Sequence, residues 1–234
     1  MNPAGPAAVY PAYLTWPIWQ RQRQNRIIRL FFRILQAQKP AISLTQEQST
    51  HLQEHIMLIP RQKTPDLSLP LLGGGRFDLA SEDSSRGTVI CFYRGLHCPI
   101  CANYLKELEK RVAEFAERGV SCIAISADGE ERTQAMADKI GASALRFAYD
   151  LPLDVAKSWG LYISTSRGTT SIGIEEPALF SEPGLFMVTP EQTLYYGSTQ
   201  TMPFVRPHFS ELVGALDFAI ANDYPARGEY TGAV

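Results

Sequence analysis

The sequence has few of the residues that mark secreted, membrane-spanning or nucleic-acid-binding proteins. Four cysteines in 234 residues are too few for the disulfide framework of a secreted scaffold. No apolar run approaches the roughly 18 residues that a membrane-spanning helix needs. A net charge of −2 gives no basic excess with which to bind nucleic acid. The composition therefore indicates a soluble globular protein in a reducing compartment, and a cytoplasmic location is predicted.

Acidic residues are also missing from the first 46 positions, where arginines alternate with apolar residues between positions 21 and 33. Residues 1–56 hold six Lys and Arg against two Glu. We predict that they form a basic N-terminal extension, and that one domain spans residues 57–234. Three interpretations of the extension stay open. It is a tail or a loosely docked helix, an organelle-targeting peptide, or a helix that binds a membrane surface or a partner.

Two of the four cysteines, Cys98 and Cys101, lie where a predicted strand passes into a predicted helix. The strand is the apolar run at 89–93. Beyond it, apolar residues recur every three or four positions, which predicts one face of a helix that Gly119 ends. Pro99 suits the first turn of that helix, because proline has no N–H to leave unpaired there.

A cysteine at the start of a helix is well placed for nucleophilic chemistry. The free N–H groups and the macrodipole favour an anion, which predicts a lowered pKa for Cys98. Cys101, one turn further along the same face, can convert a mixed disulfide or sulfenic acid at Cys98 into an internal disulfide. We therefore predict Cys98 as the nucleophile and Cys101 as the resolving thiol. No metal is expected, because a structural zinc takes four ligands and Cys91 and Cys122 lie in predicted strands. No other cofactor is expected either.

The rest of the chain predicts an α/β protein with a thioredoxin-like three-layer fold, in which helices flank a central mixed sheet. Asp128 and Glu131 resemble a capping box at the start of one helix. The predicted elements are a hairpin over 60–79, strands at 120–126 and 145–149, helices at 129–140 and 154–159, a long loop at 164–182, a hairpin over 185–196 and a last helix at 209–220.

Residues 57 to about 228 resemble the redoxins of the alkyl hydroperoxide reductase / thiol-specific antioxidant family, the peroxiredoxin-like branch of the thioredoxin superfamily. The segments that carry the resemblance are Phe92-Tyr93-Arg94-Gly95 before the CPxC motif, Glu182-Pro183-Gly184-Leu185-Phe186 and Met202-Pro203-Phe204. The resemblance implies a peroxidatic or thiol-exchanging Cys98. It also implies that Pro183 is a cis-proline that faces the cysteines, with an ordinary trans proline as the alternative.

The resemblance further implies a hydroperoxide or disulfide substrate, a reductant such as thioredoxin, glutaredoxin or a low-molecular-weight thiol, and a homodimer as a candidate assembly. Two positions depart from the family pattern. Typical peroxiredoxins have Pro seven residues and Thr or Ser three residues before the peroxidatic cysteine, where this chain has Cys91 and Gly95. The main prediction is hydroperoxide reduction through a Cys98 sulfenic acid. The alternatives are a thiol–disulfide reductase without peroxidase activity and a non-catalytic redox sensor or binding module.

Two residues beside the motif are predicted to support the cysteines. Arg94 either stabilises the thiolate and orients the substrate or forms a surface ion pair. His97 has the chemistry to share a proton with Cys98, but we interpret it as a solvent-exposed spacer. Arg206 and His208 are interpreted as residues that lead into and cap the last helix, with a place at the mouth of the site as the alternative.

Overall fold

The structure is a computed structural model that describes residues 57–234. The predicted extension and its three interpretations lie outside the described residues. The strands are β1 (Ser68–Pro70), β2 (Arg76–Asp78), β3 (Gly87–Phe92), β4 (Val120–Ile125), β5 (Arg146–Ala148), β6 (Ile163–Thr165), β7 (Leu179–Ser181), β8 (Gly184–Val188) and β9 (Leu194–Thr199). The helices are α1 (Pro99–Glu109), α2 (Val112–Glu117), α3 (Glu130–Ile140), α4 (Leu153–Ser158) and α5 (Phe209–Ala221), with a short 3-10 turn at Leu79–Ser81.

Strand β3 lies at the centre of a five-stranded sheet of order β5-β4-β3-β8-β9. It pairs in parallel with β4 and antiparallel with β8, so the sheet is mixed. Every residue of β3 is buried, which explains its continuous apolar run, because a strand covered on both faces has no solvent side. The β3–α1–β4 connection is the crossover that parallel pairing requires.

Two apolar layers cover the sheet. The first contains Val89 and Cys91 from β3 and packs against α1, α3 and α5. The second contains Ile90 and Phe92 from the other face of β3 and packs against α4 and the β1–β2 hairpin. Helices and strands thus follow the predicted order, and the thioredoxin-like three-layer fold is confirmed. Within residues 57–234, none of the helices has the length and apolar composition required to cross a bilayer.

Three local predictions differ from the structure. The helix predicted to run to Gly119 breaks after Glu109, whose carboxylate accepts hydrogen bonds from the backbone N–H groups of residues 143–145. Helix α3 begins after Gly129 and not at a capping box, because the Asp128 carboxylate is bound elsewhere. The predicted loop at 164–182 is partly paired, since β6 and β7 form a two-stranded sheet.

Candidate active site

Cys98 is the N-cap residue of α1, directly after the turn that follows β3. Its sulfur accepts a hydrogen bond from the backbone N–H of Cys101, with 3.2 Å between the two atoms. Pro99 occupies the first turn of the helix, as the sequence predicts. Hydrogen bonds from the Cys101 side chain and backbone, together with the charges of Arg206 and Arg94, lower the pKa of Cys98 to about 6, although burial opposes ionisation.

Cys101 has the opposite electrostatic character. It lies inside the first apolar layer and has no exposed surface. Burial, the hydrogen bond to Cys98 and the charge of the Cys98 thiolate hold the pKa of Cys101 well above its ordinary value. The pair therefore consists of one thiolate and one neutral thiol at neutral pH, which is the division of roles that an internal nucleophile and resolving thiol need.

The remaining cysteines lie in the strands that the sequence predicts for them. Cys91 is in β3 and Cys122 is in β4, and both are buried. Burial raises the pKa of each of these thiols to about 12. Within residues 57–234, no group of three or more His, Cys, Asp or Glu side chains is arranged to hold a metal ion.

Arg206 contacts the cysteine pair, so its interpretation as a residue that only leads into the last helix is wrong. One guanidinium nitrogen, Nη2, lies 3.1 Å from the Cys101 sulfur and 4.0 Å from the Cys98 sulfur. It therefore contacts the cysteine pair and does not merely lead into α5, and it is not among the residues that line the cavity beside Cys98. His208 is the N-cap of α5, but its side chain makes no capping hydrogen bond. The only sequence signal for Arg206 is its position just after the Met202-Pro203-Phe204 segment.

Arg94 is half-buried and forms ion pairs inside the protein. Its Nη2 lies 3.2 Å from Glu176 Oε1, and its Nε lies 3.5 Å from Glu182 Oε2. The guanidinium also stacks over the ring of Phe180, at 4.6 Å from the ring centroid. The sequence-based alternative of a surface ion pair is therefore wrong, because the ion pairs of Arg94 lie inside the protein. Arg94 joins the turn before Cys98 to the segment that carries β7, and its charge contributes modestly to the low pKa of Cys98.

His97 is fully buried, so its interpretation as a solvent-exposed spacer is wrong. Its ring packs against Phe180 with 4.7 Å between the centroids. Neither ring nitrogen has a hydrogen-bond partner among the described residues. Burial and the nearby charge of Arg94 lower the pKa of His97 to about 4, so the imidazole is neutral at neutral pH.

Pro183 is not a cis-proline, because all peptide bonds between the described residues are trans. Its carbonyl accepts a hydrogen bond from the backbone N–H of Gln200 at the end of β9. A different proline, Pro203, lines the cavity at the cysteines. The cis geometry that the resemblance implied for Pro183 is therefore wrong.

The cavity beside Cys98 is open to solvent and has a volume of about 360 Å³. Its lining includes the apolar residues Pro99, Ile100 and Phe204 and the polar segment 167–171. Cys98 is at its wall and Cys101 is not. Of the two cysteines of the motif, a molecule that enters this cavity therefore meets Cys98 and not Cys101.

The mixed sheet, together with a low-pKa cysteine at a helix start and a second thiol behind it, defines a thioredoxin-fold redoxin. The sequence model of the AhpC/TSA family matches residues 60–196, which is more than half of the chain. The chain belongs to the AhpC/TSA family. The resemblance noted in the sequence is thereby confirmed. No curated protein matches the chain significantly.

Solved structures of peroxiredoxins share the fold. Peroxidoxin BcpB from Mycobacterium tuberculosis is 19% identical, with a TM-score of 0.55 over 69% of this chain and 98% of that chain. Enterococcus faecalis AhpC is 18% identical, with a TM-score of 0.56 over 71% of this chain and 97% of that chain. Reduced Prx3 from Vibrio vulnificus, solved in complex with H₂O₂, is 15% identical, with a TM-score of 0.54 over 68% of this chain and 99% of that chain. At these identities the likeness establishes the fold.

Proposed function

We propose that the protein is a thiol-dependent peroxidase in which Cys98 is the nucleophile and Cys101 the resolving thiol. The Cys98 thiolate attacks the terminal oxygen of a hydroperoxide, and the O–O bond breaks. An alcohol or water leaves after taking up a proton, and Cys98 becomes a sulfenic acid. The Cys101 sulfur then attacks the Cys98 sulfur, water leaves, and a disulfide joins the two residues. No metal or organic cofactor enters these steps.

The observation that carries the proposal is the hydrogen bond from the backbone N–H of Cys101 to the Cys98 sulfur at the start of α1. A cysteine whose sulfur accepts such a hydrogen bond is a thiolate at neutral pH, and the thiolate is the form of cysteine that attacks peroxides. Cys98 also borders the open cavity, so a hydroperoxide can reach it. Membership of the AhpC/TSA family and the fold shared with a peroxiredoxin solved with H₂O₂ support a hydroperoxide substrate.

A dithiol or low-molecular-weight thiol is the reductant that completes this cycle. The disulfide at Cys98 and Cys101 needs two electrons, which thioredoxin, glutaredoxin or a small thiol supplies by exchange. A reducing compartment keeps such donors available, so the cytoplasm stays our prediction for the location. A homodimer also stays a prediction.

A thiol–disulfide reductase is the second candidate, and Gly95 is the observation that favours it. The hydroxyl that typical family members carry at this position is absent, so one expected hydrogen bond to the peroxide is missing. A reductase needs only the thiolate of Cys98, the second thiol and space for a disulfide substrate beside Cys98. The open cavity is compatible with such a substrate. The two activities differ in whether a peroxide oxygen or a disulfide sulfur accepts the electrons.

A single-turnover experiment separates the candidates. The reduced protein is mixed with a small excess of hydrogen peroxide or an organic hydroperoxide, and the thiol state is read by mass spectrometry at successive times. We expect the wild type to form a Cys98–Cys101 disulfide, Cys101→Ser to stop at a sulfenic acid, and Cys98→Ser to remain reduced. A wild type that reduces the disulfide of insulin but ignores both peroxides would instead identify the reductase. A redox sensor would do neither at useful turnover but would change its affinity for a partner on oxidation.

A further inference from the structure

The guanidinium of Arg206 lies closer to the buried sulfur of the pair than to the sulfur at the cavity. Its Nη2 is 3.1 Å from Cys101 and 4.0 Å from Cys98. At 3.1 Å the guanidinium forms a hydrogen bond to the Cys101 sulfur. At 4.0 Å it acts on the Cys98 sulfur mainly through its charge. Its main contact is therefore with the sulfur that a substrate does not reach.

The guanidinium is held in a fixed position. Its Nε donates a hydrogen bond to the carbonyl of Pro203 at 2.9 Å. Its plane lies over the ring of Tyr104, at 5.0 Å from the centroid. That ring is fixed in turn, because its hydroxyl donates to the carbonyl of Pro207 at 2.7 Å and it stacks on Phe209. Arg206 can therefore stabilise an anion at Cys101 without first reorganising.

No carboxylate in the described part of the chain pairs with the guanidinium of Arg206. Among residues 57–234, none of the ion pairs between Arg or Lys and an acidic side chain includes Arg206. Its second terminal nitrogen, Nη1, is buried and has no hydrogen-bond partner in the same part of the chain. A half-buried cation of this kind favours ionisation of the group beside it, and the groups beside it are the two sulfurs.

Accessibility fixes which sulfur becomes the leaving group when the disulfide is reduced. Cys98 borders the cavity and keeps 2% of its surface exposed, whereas Cys101 has 0% and does not border it. An incoming thiolate therefore attacks Cys98, and the electron pair of the S–S bond passes to Cys101. Burial makes an ionised Cys101 unfavourable by itself, so this leaving group needs a counter-charge.

We propose that Arg206 is a catalytic residue of the reductive half-reaction, in which it stabilises the Cys101 thiolate that leaves when a dithiol reductant attacks the disulfide. This proposal rests on the proposed Cys98–Cys101 cycle. The first sulfur of the reductant forms a mixed disulfide with Cys98, and Cys101 leaves as a thiolate and then takes up a proton. The second sulfur of the reductant attacks the first, which closes the reductant's own disulfide and releases the Cys98 thiolate. Two electrons pass to the protein. Of the two protons of the dithiol, one balances the proton that Cys101 takes up and the other passes to solvent.

The charges of the reduced state agree with this role. Arg206 lowers the pKa of Cys101 both by its charge and by its hydrogen bond, against the larger effect of burial. A reduced Cys101 is nevertheless a neutral thiol, because its pKa stays well above the ordinary value. Arg206 therefore meets a full negative charge on Cys101 only as the S–S bond breaks, so its stabilisation acts on the rate of that step.

The test measures the two half-reactions separately in Arg206→Met. The disulfide is prepared with diamide, so the assay does not depend on any reaction with peroxide, and its reduction by dithiothreitol is followed by stopped-flow fluorescence. We expect reduction to be about 10- to 100-fold slower than in the wild type, because a hydrogen bond to a charged group is lost. Alkylation of Cys98 in the reduced variant should slow less than the disulfide step, since the Cys101 N–H still binds its sulfur.

Two further variants make the result specific. Arg206→Lys keeps the charge and the apolar stem beside Tyr104, and it should recover a large part of the lost rate even if Arg206→Met folds poorly. Arg118→Met removes a guanidinium that pairs with Asp217 and has no contact with the cysteines, so it should leave both steps unchanged. Equal reduction rates in the wild type and both Arg206 variants would overturn the proposal, as would failure of diamide to join Cys98 to Cys101. Slow reduction in Arg206→Met in a protein that ignores peroxides would uphold it while refuting the peroxidase.

Discussion

The carboxylate of Asp128 lies where a side chain on Gly95 would project. A Cβ atom added to Gly95 would lie 2.6 Å from Asp128 Oδ2, and the φ of Gly95 is +134°, which L-residues rarely adopt. The carboxylate cannot easily move away, because it accepts hydrogen bonds from the N–H of Leu96 at 2.7 Å and from Arg132 Nε at 2.9 Å. The Asp128 carboxylate thus both fixes the turn before Cys98 and excludes the hydroxyl that typical family members carry there.

We expect that restoring this hydroxyl with Gly95→Thr will harm the protein. The substitution should lower the free energy of unfolding by about 2–5 kcal/mol, because it adds backbone strain and displaces the Asp128 carboxylate. It should not increase the rate with peroxide. Gly74→Thr is the matched control, since Gly74 also has a positive φ but no atom of the described residues lies within 4 Å of its Cβ position. A Gly95→Thr variant as stable as Gly74→Thr in urea unfolding would contradict this account of the turn.

Removing the carboxylate should loosen the same turn. In Asp128→Ala the N–H of Leu96 loses its acceptor and Arg132 loses its partner, so we expect the free energy of unfolding to fall by about 2–4 kcal/mol. The control is Asp138→Ala in α3, the helix that follows Asp128. The exposed Asp138 side chain accepts a hydrogen bond from Gln134, and its removal should cost less than about 0.5 kcal/mol. Denaturant unfolding measures both variants. Equal losses would mean that the Asp128 hydrogen bonds do not stabilise the turn.

The low pKa of Cys98 predicts how stability depends on pH. The pKa is about 6 in the folded chain, against about 8.5 for a free thiol. Unfolding therefore takes up a proton between these values, and stability rises with pH through this window. The stabilisation by the Cys98 thiolate is fully present above the pKa of the unfolded chain, about 8.5, and is lost as the pH falls through about 6. From pH 6 to pH 8, the reduced wild type should gain about 2 kcal/mol more than Cys98→Ser.

The comparison with Cys98→Ser cancels the contributions of other titrating groups to the change in stability, because both proteins contain those groups. His97, whose pKa is lowered to about 4, destabilises the fold as the pH drops below about 6.5, but it does so in both proteins. Guanidinium unfolding at the two pH values, under a reductant, gives the difference directly. If the two proteins gained the same stability between these pH values, Cys98 would not be a stabilised thiolate.

The four thiols should also differ in reactivity. A brief exposure of the native reduced protein to iodoacetamide at neutral pH should modify Cys98 alone, because Cys91 and Cys122 have pKa values of about 12 and Cys101 is buried beside a thiolate. Cys98→Ser should abolish this fast labelling, and Cys122→Ser should leave it intact. All four thiols should react after unfolding. Peptide mapping that finds Cys101 or Cys122 labelled first would contradict the assignment of roles.

The sequence predicts local structure well wherever a pattern is continuous. The buried run of β3, the apolar face of α1 and the end of α3 at Ile140 all lie where the pattern predicts them. These features depend on neighbours within one or two turns, and local rules describe such neighbours. The position of Cys98 at the N-cap follows from the same local pattern.

The parts of the site that were mispredicted depend on distant segments. His97 is buried by Phe180, and Arg206 reaches Cys98 across 108 positions of the chain. The Asp128 carboxylate accepts a hydrogen bond from the N–H of Leu96, 32 positions away, as well as from Arg132 in the helix that follows. Such contacts are set by strand order and by loops that fold back onto the sheet, and no periodicity of the sequence encodes them. The expected cis geometry of Pro183 came from a resemblance of motifs, which does not specify the backbone.

The most direct test of the central claim is the pH dependence of the peroxide reaction in Cys101→Ser. In this variant the sulfenic acid cannot be resolved internally, so a stopped-flow trace reports the attack by Cys98 alone. Because the backbone N–H of residue 101 and the Arg206 charge remain, we expect the rate to rise with pH and reach half of its maximum well below the free-thiol value of about 8.5. A midpoint at the free-thiol value, or no reaction at any pH, would contradict the account.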